Sequence, residues 1–121
     1  MGGNNRIFLA GLLLAAVFSG CENAKEPLKQ YTCDNNTPPS YTAFIQPIME
    51  NNCVVCHQPG ASAASIDLRS YASVKLAVQN NKLLSSVKWD GKALQMPQGN
   101  RQLNAAEITV IECWINNGMK E

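Results

Sequence analysis

The stretch Cys53-Val54-Val55-Cys56-His57 limits what this chain can fold into more than any other. C-x-x-C-H is the pattern by which a haem is bonded covalently to a polypeptide. Two cysteines three positions apart on one helical turn put both sulfurs on one side, in reach of the two vinyl groups of one porphyrin. His57 then turns an imidazole nitrogen toward the iron, a pairing that suits a borderline metal ion. It is the only histidine in the chain. The remaining sequence is therefore read for a compartment, for walls and for a second axial ligand.

The compartment is indicated by the first twenty-one residues, MGGNNRIFLAGLLLAAVFSGC. A short polar stretch with Arg6, an apolar run from Ile7 to Phe18 and the small residues Ser19 and Gly20 read as a secretory signal peptide over residues 1–20. The run is about 12 residues, against roughly 20 for a bilayer-spanning helix, so a permanent transmembrane segment is not expected. Myristoylation does not fit either, because Arg6 stands where that motif needs Ser or Thr. Phe18-Ser19-Gly20-Cys21 resembles the lipobox of bacterial lipoproteins, with Phe in place of the usual Leu. That resemblance implies lipidation of Cys21 and attachment to a membrane without a spanning helix.

Arg6 is the one charged residue of the signal, so the remaining chain carries nine residues of each sign and is formally neutral. With 45% hydrophobic and 16% charged content, it describes one ordinary globular domain, with no basic patch for nucleic acid. Residues 21–39 are polar and punctuated by prolines, and they read as a tether. About 18 flexible residues reach on the order of 23 Å, enough for the domain to sample partners near the membrane. Cys33 complicates that tether. Of the five cysteines, Cys21 goes to lipid and Cys53 and Cys56 to haem, leaving Cys33 and Cys113. In an exported, oxidising compartment those two are candidates for a disulfide.

The domain is expected over residues 40–121, and its pattern is helical. Phe44, Ile45, Ile48 and Met49 recur at helical spacing, so residues from about 42 to 56 predict an amphipathic helix capped by Ser40 or Thr42. Pro47 fits only within or just after the first turn, or at a kink. A small-residue loop after His57 leads to a second helix capped by Ser70, with Tyr71, Val74, Leu76 and Val78 apolar. Leu83, Leu84 and Val87 mark a further turn of helix before the turn at Trp89-Asp90-Gly91-Lys92. Asn104 to Asn117 is the clearest helix: Asn104 caps it, Glu107 completes a capping box and Gly118 closes it. Ile108, Ile111, Trp114 and Ile115 form its inward stripe, with Cys113 off that stripe and Trp114 expected to face Phe44. No alternating segment is long enough to demand a sheet.

Met96 lies 39 positions beyond His57, in a loop held by Pro97 and Gly99 rather than in a helical stripe. Its thioether is a soft ligand suited to haem iron opposite histidine. Most methionines are core gap-fillers, but the competitors here are few. Met1 is cleaved, Met49 is on the helix of the haem cysteines and Met119 is in the C-terminal tail.

Taken together, PIMENNCVVCHQPG, IDLRSYASVK, MPQG and LNAAEITVIECWINNG resemble a small class I cytochrome c domain over residues 40–119. The similarity is to short monohaem lipoprotein cytochromes of Bacteroidetes-like bacteria. It implies an all-α cytochrome c fold, three to four helices around one covalent haem c. Cys53 and Cys56 would be the thioether residues, with His57 and Met96 the axial ligands. It implies a monomeric electron carrier rather than an enzyme, exchanging electrons with redox proteins at the periplasmic or cell-surface side of a membrane. One departure is the lack of a clear proline loop to accept the histidine Nδ1 hydrogen bond, which leaves that partner unassigned. About 80 residues is a small core, so the haem is expected to supply much of its apolar surface and the apo chain to fold poorly.

Other readings remain. One is a haem sensor, or an electron-entry module dedicated to a partner enzyme, whose sixth ligand leaves. A zinc site would have to combine His57 with Cys33, Cys53, Cys56 and Cys113, and a thiol oxidoreductase would want a βαβ pattern that is missing. Asp67, Asp90, Glu107 and Glu112 are too scattered for paired carboxylate chemistry.

Overall fold

A computed structural model describes residues 31–34, 36–63, 65–80 and 82–121. The signal over 1–20, the lipid cysteine Cys21 and the tether up to residue 30 lie outside the described residues. Those described form helices and turns, with no strand among them. A π-helical turn, Tyr41–Ile45, runs into α1, Gln46–Asn52; α2 spans Tyr71–Gln79, α3 Leu83–Lys88 and α4 Ala105–Asn116. Among the described residues no helix is long and apolar enough to cross a membrane.

The single helix expected over 42–56 is thus divided, and Pro47 gives the reason. Pro47 has no N–H, and its ring crowds the carbonyl one turn earlier. The chain widens ahead of it: the Gln46 N–H reaches back five residues to the Tyr41 carbonyl, and α1 begins with Pro47 in its first turn. Ser40 caps the entry, its hydroxyl accepting from the Ala43 N–H at 3.3 Å. Tyr41, Ile45, Ile48 and Met49 face inward and are buried.

Helix α4 is the core's main wall. Asn104 and Glu107 exchange side-chain bonds with each other's backbone N–H, at 2.9 and 3.0 Å. At the other end Gly118, at φ 84°, lets the Met119 N–H reach Trp114 O and its own N–H reach Ile115 O, satisfying carbonyls the helix leaves open. Val110, Ile111, Cys113 and Trp114 are buried, while Ile108 and Ile115 flank them half-buried. Two expectations are corrected here. Cys113 is inside rather than off the buried face, because it shares that face with Val110 and is bonded to Cys33. Trp114 does not have Phe44 as its ring partner: its neighbours are Tyr41 and Tyr71, at centroid distances of 6.1 and 6.3 Å. Phe44 lies outside the inward row of Tyr41, Ile45 and Ile48 and meets Tyr31 edge-on at 5.6 Å.

The C-terminal residues lock this cluster. The Lys120 carbonyl accepts from the Tyr41 N–H and the Trp114 indole, and the Met119 carbonyl from the Tyr71 hydroxyl. Helix α4 packs on the π turn and on α3, and α3 packs on α2. Ser70 caps α2 in a reciprocal arrangement with Ser73. Leu76 of α2, read with its apolar residues, is 57% exposed because it points away from Val74 and Val78.

The later part of the expected tether, with its possible disulfide cysteine Cys33, packs on the domain. Cys33 is bonded to Cys113 of α4, with Cα atoms 5.5 Å apart. Pro39 is fully buried, and Tyr31 packs on Phe44. This part of the tether is therefore a strap on the domain, so the packed unit begins before residue 40.

Candidate functional site

Helix α1 ends where the cysteine pair begins. The N–H groups of Cys53 and Val54 both donate to Met49 O, at 2.8 and 3.0 Å. The N–H groups of Cys56 and His57 then both donate to Cys53 O, at 3.1 and 3.0 Å. The motif consequently sits in tight turns after α1 rather than on the helix itself, and the turns keep both cysteines and His57 together. The following loop folds back over them. Ala63 N–H donates to Cys56 O and Leu68 N–H to His57 O, each at 3.0 Å, and Leu68 enters the core.

These residues border a cavity of about 520 Å³ whose wall is mainly apolar. Cys53, Cys56, His57 and Met96 all line it. Leu68, Leu83 and Val87 form its inner wall, and Ile66 and Leu94 lie at its exposed edge. That size and lining fall in the range of small-molecule and cofactor pockets, roughly 300–1,000 Å³.

Met96 comes from the loop between α3 and α4 and is held through its backbone. Its N–H donates to Ser86 O of α3 at 3.0 Å, and its carbonyl accepts the Trp89 indole N–H at 2.9 Å. Trp89 terminates α3 in the left-handed conformation, at φ 55°. For a bulky L-residue that costs about 1–2 kcal/mol, which the bond to Met96 helps to offset. Gln102 adds a second clamp, its amide donating to Lys88 O at 3.1 Å. Sequence reading used Trp89 only as a turn marker and passed over Ser86 and Gln102. None of the three belongs to a periodic pattern, and each acts through a backbone atom distant in sequence.

Two electrostatic features accompany this geometry. Burial pushes the Cys53 thiol up to about 11, with the Glu107 carboxylate and then Cys56 adding to it. In the absence of a bonded group Cys53 is therefore a neutral thiol at physiological pH. The Nδ1 of His57 is buried and without a hydrogen-bond partner among the described residues. Cys33 and Cys113, being bonded to each other, are withdrawn from any shared thiolate site. Among the described residues no group of three or more His, Cys, Asp or Glu is placed to hold a metal ion by itself.

In comparisons with protein-family models, curated proteins and solved structures, the chain matches none.

Proposed function

We propose that this chain is a monohaem c-type cytochrome that carries single electrons at the outer side of a bacterial membrane. The observation that carries the reading is the shared cavity: two thiols, the chain's only imidazole and a loop thioether border one apolar space. The donor types fit such a group: thiols can form thioethers, and an imidazole and a thioether suit haem iron.

On this reading Cys53 and Cys56 would hold haem c by thioethers, and His57 and Met96 would supply the nitrogen and sulfur for its iron. When bound, haem supplies a one-electron iron couple, which histidine and methionine together bias toward the reduced state. The chain's own residues fix and shield the site. The turns at 53–57 keep the cysteines beside His57, while Ser86 and Trp89 hold the Met96 backbone. Leu68, Leu83 and Val87 exclude water from the inner wall. With His57 and Met96 both given to the iron, little room would remain for substrate chemistry, so we assign an electron carrier rather than an enzyme. The lipid at Cys21 and the tether that follows would keep the carrier near membrane partners, with redox proteins as donor and acceptor.

The variant Met96→Ala tests the ligand set. The account expects haem to remain covalently attached, the sulfur-to-iron absorption band of the oxidised protein to vanish and the midpoint potential to fall. An unchanged band and potential would show that Met96 is not the ligand and would favour a sensor with another sixth ligand.

A further inference from the structure

The cavity is apolar on its inner side, yet two cations line it. Lys82 precedes α3 and Lys92 follows its C-terminal turn, so the two bracket the helix whose Leu83, Ser86 and Val87 form one wall. Among the described residues they are the only charged side chains on the cavity lining, and none there is a carboxylate. Both are exposed, and neither takes part in the two ion pairs of the described residues, Arg69 with Asp67 and Lys88 with Glu112. A cavity built this way suits a ligand with an apolar body and an anionic edge.

Resting on the haem reading above, we propose that Lys82 and Lys92 bind the two haem carboxylates and set the charge around the iron. An apolar porphyrin body is at home against Leu83 and Val87, whereas its carboxylates need water or cations. Lysines at the rim supply the second without entering the core, their stems lying along the apolar edge. The two lysines are not equivalent. Asp90 accepts the Lys92 backbone N–H at 3.0 Å, which keeps its carboxylate beside that residue. This opposite charge offsets part of Lys92's, so Lys82 acts with the larger effective charge. Because both pairs would be open to solvent, each shifts the site modestly.

The test uses the full-length haem-loaded protein with Lys82→Gln, Lys92→Gln, the double variant and Lys82→Arg. Haem staining and the sulfur-to-iron band establish that the haem and its ligands are unaltered. Losing a cation beside the carboxylates favours ferric iron, so the midpoint potential should fall in each Gln variant, more for Lys82 than for Lys92 and most in the double. The haem carboxylate stretch in the infrared redox difference spectrum should move with it, and Lys82→Arg should restore both. Potentials and carboxylate bands equal to the parent's, with haem present, would overturn this assignment alone. So would a loss confined to electron-transfer rate with an acidic partner, which would make the lysines a docking surface. Absence of covalent haem in the parent would overturn this proposal and the functional reading together.

Discussion

Tyr41 is 5% exposed, and its hydroxyl has no hydrogen-bond partner among the described residues. The ring is useful to the fold, packing against Tyr71 at 5.4 Å and against Trp114, but the oxygen is not. Burial, with the Glu50 charge adding, raises the phenol above its ordinary value of 10.0. Since the folded pKa exceeds the unfolded one, stability from the neutral phenol is complete below the unfolded value and is lost as pH rises through the folded value. Tyr41→Phe should therefore leave urea stability unchanged or raise it, by up to about 1–3 kcal/mol, and should move alkaline unfolding to higher pH. Tyr71→Phe makes the contrast, because its hydroxyl donates to Met119 O at 2.7 Å. Its loss should cost about 0.5–1.5 kcal/mol. Equal destabilisation of the two variants would mean that Tyr41's oxygen is in fact bonded.

Among the elements, the loop after α3 depends on contacts that secondary structure does not supply. The indole of Trp89 and the carbonyl of Ser86 hold Met96 from two sides. Trp89→Phe keeps the ring but removes the donor, and denaturant titration should show a loss of about 0.5–1.5 kcal/mol. In the haem-loaded protein the sulfur-to-iron band should weaken on warming earlier than in the parent; identical thermal behaviour would deny Trp89 that role. This loop also marks where sequence reading stops. Helix α4 was legible to within a residue, because Asn104, Glu107 and Gly118 are local signals at both ends. The start of α2 was equally clear from Ser70. The first helix was misjudged because apolar spacing continues across Pro47, whereas the backbone must widen before it and then ends α1 ahead of Cys53. Helical phase also placed Trp114 inward without naming which ring it would meet, since that depends on how the π turn is rotated.

Across the whole molecule, the Cys33–Cys113 bond ties the N-terminal strap to the central helix over a separation of 80 residues. Cysteine bookkeeping made that pairing conceivable, but only the fold brings the two Cα atoms together, and it changes how a tether should be pictured. Residues 21–39 were expected to be a tether with a possible disulfide cysteine, and the chain lies on the domain from at least Tyr31. Replacing both cysteines with serine removes the staple; for a small domain of this kind the expected cost is about 2–5 kcal/mol. Equilibrium unfolding under non-reducing conditions measures it, and a change below that range would mean that the strap is held by Pro39 and Tyr31 without the bond. The cavity is the other feature of molecular scale, since it draws on residues from α1's end, α2, α3 and the Met96 loop. Its purpose is tested most directly by expressing the full chain in cells with a haem-attachment system and staining a denaturing gel for haem peroxidase activity. The account predicts a stained band for the parent chain that disappears in the Cys53→Ser, Cys56→Ser variant; a parent band without stain would contradict it.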